Sequence, residues 1–268
     1  MVVFPNAKIN LGLNIISKRE DGFHNIESCF LPVPWNDALE IIPSDEFSFT
    51  SSGIDIPGSS SENLCVAAYH ILAKEYSLPT VKIHLHKHVP IGAGMGGGSS
   101  DAAFTIKVLN SLFSLEMSEE EMENRARKLG SDCAFFIKNK PVVAVEKGDV
   151  FEEIAVDLGG KTLFIIYPEI HISTKEAYSG VVPRSHSRSM KEILSLPVDN
   201  WKDMLHNDFE DSLFPRYPAL SNIKQVLYNH GAIYASMTGS GSALYGFFEG
   251  DNGLKGLFPK TSFKIINI

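Results

Sequence analysis

The chain of 268 residues is poor in cysteine, short of basic charge and without long apolar runs. Its three cysteines, Cys29, Cys65 and Cys133, are odd in number and far apart, and no C-x-x-C occurs. That argues against a disulfide framework and a cysteine zinc site, and suits a reduced, cytoplasmic compartment. Lys and Arg number 24 against 32 Asp and Glu, a net charge of −8. A chain whose main partner is nucleic acid needs a basic surface, so no nucleic-acid partner is expected. A small anionic ligand needs only a local site and stays open. No stretch of about 18 apolar residues exists to span a membrane. The start "MVVFPNAKINLGLN" lacks the charged-then-apolar pattern of a signal peptide, so no membrane partner is expected. The sequence carries no signal for an oligomeric state.

What is present is a chain able to bury a core. Hydrophobic residues make up 44% and charged residues 21%, the proportions of a globular protein. Strands are predicted at "KINLGLNII", "ALEIIP", "EFSFTSS", "TVKIHLHKHVP" and "KTLFIIYP", with a hairpin at "PVVAVEKGDVFEEI". Helices are predicted at "ENLCVAAYHILAKEYSL", capped by Ser60 or Ser61, at "SDAAFTIKVLNSLF", and at "SEEEMENRARKLG", where Ser118 and Glu121 form a capping box and Gly130 a stop. Further helices are expected around 189–196, 199–212 and 218–230, then strand, glycine turn and strand at "AIYASMTGSGSALYGFFEG" and a closing strand at "SFKIINI". The elements do not alternate as regular βαβ units, so the fold class is α+β in two lobes. A composition shift near 155–162 places the boundary between 1–157 and 158–268.

The stretch "PIGAGMGGGSSDAA", residues 90–103, holds five glycines between 92 and 98 and runs straight into helix-forming sequence. Strand, glycine-rich turn and helix start together make an anion site, because backbone N–H groups point out of the first helical turn. Gly92 to Gly97 fit G-x-G-x-x-G, but no acid-bearing second strand follows within about 20 residues, as a dinucleotide site requires. No lysine follows the glycines, so the Walker A pattern is absent as well. What remains is a different phosphate cradle, with Ser99 and Ser100 at the helix start offering hydroxyls to phosphate oxygens or to Mg²⁺.

This stretch resembles the second motif of the GHMP kinases, a family that includes galactokinase, homoserine kinase and mevalonate kinase. The likeness extends in order through "NAKINLGLNI", "REDGFHNIES", "SENLCVAAYHIL", "LGSDCAFFI", "HNDFE" and "MTGSGSALYGFF". The triple glycine and "SSDAA" are most similar to a member acting on a cytidine-diphosphate compound. The resemblance implies two α/β lobes, an N-terminal one like ribosomal protein S5 domain 2 and a C-terminal ferredoxin-like one, with a cleft between them. It implies ATP and Mg²⁺ as cofactors and a small-molecule cytidine-diphosphate substrate as partner. Another small-molecule kinase of the family, or a nucleotide-binding module without catalysis, are the alternatives. Met95 stands where the family usually has leucine.

Read alone, Asp132 in "LGSDCAFFI" could be a capping or loop aspartate, and Lys8 is a cation interrupting an apolar strand, costly to bury unless paired. By the resemblance Asp132 is the catalytic base and Lys8 its partner, steadying negative charge that develops on the accepting oxygen. Pro90, Gly92, Gly94, Gly96, Gly97, Gly98, Ser99 and Ser100 would then hold the nucleotide, with Asn63 lining its adenine pocket. Phe23 and Tyr178 would lie on either face of the cytosine ring and His24 would read its edge. Phe23 replaces a tyrosine common there. Asn10 and Gly239 complete the substrate set, the turn around Gly239 approaching the glycine loop. His84, His86 and His88 alternate on one strand, a spacing awkward for tetrahedral zinc, and read as a polar strand face. No residue is named as a metal ligand, and the Mg²⁺ ligands stay open.

Overall fold

The structure, a computed structural model, describes residues 1–250, 256, 258 and 262–268. Contacts gather it into two units. One comprises Met1–Lys8, Pro32–Ile91 and Gly96–Lys140, the other Ile9–Leu31, Gly92–Met95 and Pro141–Ile268. Strand β1 (Val2–Val3) lies in the first, whereas β2 (Asn6–Lys18) and β3 (His24–Asn36) each run through both. Contacts therefore draw their line elsewhere than the composition shift near 157. Each of the two long strands carries one unit's chain into the other.

The first unit is a sheet with helices. β4 (Ala38–Pro43), β5 (Ser48–Gly53) and β6 (Val81–Lys87) join β1 in the order β1-β4-β6-β5, and α1 (Leu64–Tyr76) links β5 to β6. β4 and β6 run antiparallel with Leu39 opposite Leu85 and Ile41 opposite Ile83. Period-2 alternation buries Val81, Ile83, Leu85 and Lys87 and leaves Lys82 and His86 outside. His84 and His86 hydrogen-bond Thr50 and Ser52 of β5, so these histidines do form a polar strand face. α2 (Gly97–Leu112) packs against α1, and α3 (Glu119–Ala126) and α4 (Phe135–Lys138) follow. The capping box at Ser118 and Glu121 forms as expected, but α3 ends at Ala126, ahead of Gly130.

In the second unit β7 (Val142–Glu146) and β8 (Val150–Glu153) extend a sheet of order β2-β3-β7-β8. β9 (Thr162–Tyr167), β10 (Tyr234–Met237), β11 (Leu244–Phe248) and β12 (Ser262–Asn267) form an antiparallel sheet of order β10-β11-β9-β12. Between them in sequence lie α5 (Thr174–Ser179), α6 (Met190–Leu194), α7 (Phe209–Arg216) and α8 (Pro218–Asn229). Phe164, Ile166, Phe209, Leu213, Leu220, Leu227 and Phe248 share its core.

Two expectations are corrected. β3 was not among the predicted strands. Its pairing with β7 runs from Ile26 to Phe30, ahead of Pro32 and Pro34, so neither proline costs that ladder a bond. The helix expected over 199–212 is a 3₁₀ turn at Val198–Asn200, irregular chain, and α7 from Phe209. The intervening Asn207 and Asp208 are buried, and their side chains bond other segments in place of a continued helix.

Candidate active site

The glycine segment turns helical earlier than its composition suggests. Gly96, with φ +68° and ψ 17°, is the left-handed N-cap of α2, and Gly97, Gly98 and Ser99 are its first three residues. The first intrahelical bond runs from the Ser100 N–H to the Gly96 carbonyl at 2.9 Å. The three N–H groups before it stand at the positive end of a helix of 16 residues. A Cβ on Gly96 would lie 3.1 Å from the Phe136 ring and 3.2 Å from Lys8 Cε, and one on Gly97 2.9 Å from Lys87 Nζ. A Cβ on Gly98 would meet nothing within 4 Å. The exposed Gly98 has no packing reason to be glycine, and glycine weakens a helix relative to alanine. Its backbone is left bare on the open side of the helix start. Ser99 is half-buried, but Ser100 is fully buried and its hydroxyl has no hydrogen-bond partner. Of the two serines, Ser99 is the more open. Pro90 is buried just past the strand.

Lys8, 3% exposed, places its ammonium 3.3 Å from Asp132 Oδ2. The buried cation thus has the counter-charge it needs. Asp132 sits in the turn between α3 and α4, closed by the Cys133 N–H donating to the Gly130 carbonyl at 3.2 Å. Its side chain is 30% exposed, open enough to reach a substrate. Burial pushes the neighbouring Cys133 thiol up to about 11, which keeps it an un-ionised packing group. Asn63 is the N-cap of α1, its Oδ1 accepting from the Cys65 N–H at 2.9 Å, so only its amide NH₂ could face a base.

Lys87 was missed by the sequence reading. Its ammonium bonds Asp37 and, at 2.8 Å, Asp101 Oδ2, all three residues being buried. Asp37 Oδ1 also accepts the N–H groups of His88 at 2.6 Å and Val89 at 2.8 Å, fixing the exit of β6. Burial raises Asp101 to about 7; Lys87 draws it down and Asp37 pushes it up. A lysine on the inward register of β6 was the available signal. Asp101, in the second turn of α2, is one of the two carboxylates of this clamp.

In the second unit, Phe23 is 59% exposed on the β2–β3 turn with Lys147 Nζ 5.6 Å from its ring centre. The His24 ring lies stacked on Tyr178, centroids 4.7 Å apart at 22°. The sequence reading had His24 at the edge of a base and Tyr178 against a face of it. Ring-on-ring contact removes apolar area from water and explains the closer pairing. Burial, then Lys18, lowers the His24 pKa, so the imidazole is neutral near pH 7 and offers one donor and one acceptor. Asn10 Nδ2 donates to Ser28 Oγ at 2.8 Å, and the Asn10 N–H donates to Thr238 Oγ1 at 2.9 Å. Gly94 abuts the same turn: a Cβ there would lie 2.1 Å from the Thr238 carbonyl, and one on Gly239 2.9 Å from the Gly94 carbonyl. Gly92 lies beside His171. A hollow of about 540 Å³ on the β2-β3-β7 sheet, lined by Ile16, Arg19, Asn25, Glu27 and Glu146 among others, contains none of the expected site residues.

Comparison with known proteins bears on the same segments. The family description "GHMP kinases N terminal domain" matches residues 63–140, and "GHMP kinases C terminal" matches 189–255. The chain is 56% identical over 250 residues to a 4-diphosphocytidyl-2-C-methyl-D-erythritol kinase of Cytophaga hutchinsonii, covering 93% of each chain. It is 50% identical over 265 residues to the protein of that name from Bacteroides thetaiotaomicron, covering 97% of this chain and 95% of that one. Among solved structures, a 4-(cytidine 5'-diphospho)-2C-methyl-D-erythritol kinase superposes with a TM-score of 0.86 at 27% identity, over 99% of this chain and 98% of that one. With both halves matched and identity above one half over nearly its full length, the chain belongs to the GHMP kinase family.

Proposed function

We propose that this chain is an ATP-dependent kinase acting on the 2-hydroxyl of 4-diphosphocytidyl-2-C-methyl-D-erythritol, a step of the non-mevalonate route to isoprenoid precursors. The products are the 2-phosphate and ADP. Its relatives of 50% identity and above carry that name. The observation that carries the residue roles is the pairing of buried Lys8 with partly exposed Asp132 beside the glycine N-cap of α2.

Phosphoryl transfer asks mainly for positioning and charge stabilisation, with one group to take the proton of the attacking hydroxyl. Asp132 takes that proton onto a carboxylate oxygen. Lys8, held against Asp132, steadies the negative charge of the oxygen that attacks. The N–H groups of Gly97, Gly98 and Ser99 bind phosphate oxygens of ATP, and Gly98 leaves the backbone bare for them. Magnesium would enter with the nucleotide and would supply charge neutralisation on the transferring phosphate, with the Ser99 hydroxyl as the protein group that would hold it. Among the described residues no group of three or more His, Cys, Asp or Glu could hold a metal. Asn63 faces the adenine, so the nucleotide belongs to the 1–157 segment. Phe23, His24 and Tyr178 hold the cytosine, and Asn10 and Gly239 the rest of the substrate. No helix among the described residues is long and apolar enough to cross a membrane, and the three buried free cysteines suit a cytoplasmic setting.

A coupled ADP-release assay tests this, with the cytidine compound set against mevalonate and homoserine. Turnover of the cytidine compound alone is expected. Equal turnover of the three would remove the specificity.

A further inference from the structure

The motif "HNDFE", His206 to Glu210, carries none of the roles above, yet each residue is committed inside the second unit. The His206 carbonyl accepts the Leu13 N–H at 2.8 Å. Asp208 Oδ2 accepts the Ile15 N–H at 2.7 Å, and its other oxygen binds Arg184 at 2.5 Å. Arg184 in turn donates its own N–H to the Ile15 carbonyl at 3.0 Å, which ties down the polar stretch "VVPRSHSRS". Glu210 accepts the Met237 N–H at 2.7 Å and binds Lys224.

Asn207 stands at the centre. It is 1% exposed. Its Nδ2 donates to the Met237 carbonyl at 2.8 Å and to the Gly239 carbonyl at 2.9 Å, and its Oδ1 accepts the Phe209 N–H at 3.1 Å. Both donor hydrogens are spent, so the amide has none left for a ligand. Two structures radiate from it. On one side the 238–241 turn is held so that Thr238 meets Asn10 and the Gly94 carbonyl. On the other, Phe209 presents its ring edge-on to Tyr178 at 4.9 Å and 88°, and Tyr178 stacks on His24.

We propose that Asn207 is a positioning residue for the substrate: one buried amide sets both the Gly239 turn and, through Phe209, the Tyr178–His24 stack. The inference rests on the reading that those residues meet the cytidine compound. Only an amide of this length supplies two donors and one acceptor at these places. An aspartate in its place would set a carboxylate against two carbonyls, and alanine would leave those carbonyls without partners. Phe209 transmits the position because its backbone N–H is fixed by Asn207 while its ring is 1% exposed.

The test measures kcat, KM for the cytidine compound and KM for ATP in the wild type, Asn207→Asp and Phe209→Leu. Asn207→Asp is expected to raise KM for the cytidine compound at least tenfold and leave KM for ATP within twofold. Phe209→Leu is expected to raise it severalfold and to narrow the preference for the cytidine compound over its uridine counterpart. Loss of folded protein alone would lower kcat per mole of chain and move neither KM. If Asn207→Asp does not fold, Phe209→Leu decides. A folded variant with unchanged KM for the cytidine compound, or with both KM values raised alike, overturns the role of Asn207. A wild type that does not turn over the cytidine compound removes the functional reading itself, and the proposal with it; unmoved KM values in an active wild-type background remove the proposal alone.

Discussion

Replacing Gly98 with alanine should move stability and nucleotide affinity in opposite directions. Gly98 is the second residue of α2 with ordinary helical backbone, and an added methyl meets nothing within 4 Å. Alanine costs less conformational entropy to fix in a helix than glycine, by about 0.5–1 kcal/mol. For a chain of this size that raises Tm by about 1–4 °C. If phosphate oxygens of ATP lie against that backbone, the same methyl occupies their space. KM for ATP should then rise by about tenfold or more, the loss of a charge-assisted hydrogen bond being worth about 1.5–3 kcal/mol. Thermal unfolding without nucleotide and initial rates at varied ATP read the two effects separately. Gly97→Ala is the contrasting case, because its methyl would sit 2.9 Å from Lys87 Nζ, an atom held by two carboxylates. That variant should lose about 1–3 kcal/mol of stability from overpacking. A Gly98→Ala enzyme with higher Tm and unchanged KM for ATP would refute the cradle at this position, since the space would be shown to hold no ligand.

Lys8→Met keeps the buried stem and removes the charge, and Asp132→Asn keeps the shape and removes the base. Each should lower kcat by about a hundredfold to ten-thousandfold in steady-state assays with near-native circular dichroism, and near-wild-type kcat in either would sink the assignment. Phe23→Ala removes an exposed ring, so stability should change by less than about 0.5 kcal/mol. KM for the cytidine compound should rise about five- to hundredfold if the ring stacks on the base. Asp101 keeps its proton to about pH 7 in the fold, while the unfolded chain releases it near the ordinary 3.8. The unfolded state binds fewer protons in that window, so this group's stabilising contribution is present at low pH and lost as pH rises from about 4 to 7, by up to about 1.4 kcal/mol per pH unit. Asp101→Asn should abolish that slope in urea unfolding at pH 4, 5.5 and 7, and an unchanged slope would place the proton elsewhere.

What could be read from sequence was local. The alternation of β6, the Ser118–Glu121 box and the glycine-to-helix transition each lie within a few residues, and each formed. Lys8 was conspicuous because a cation in an apolar strand is expensive, a cost that pointed to a partner without saying which of 32 acids it was. What was not legible depended on pairs far apart in the chain. The Tyr178 stack on His24 leaves no periodic trace, and the inward register of Lys87 does not say that Asp37 and Asp101 are its partners. β3 carries Pro32 and Pro34, residues that matter only where a partner strand needs their N–H, and the β7 ladder ends before them. The same logic separates the two serines of the glycine loop. Adjacent in sequence and alike in chemistry, Ser99 and Ser100 differ by one step of about 100° around the helix axis. That step buries one hydroxyl and leaves the other half-buried. A motif therefore names residues, while the helical phase decides which of them can act. On this ground Ser99→Ala should weaken ATP binding, whereas Ser100→Ala, which deletes a buried hydroxyl without a partner, should leave KM for ATP unchanged and stability equal or higher. The reverse order of effects in the two variants would mean that α2 begins in a different phase when the nucleotide is bound.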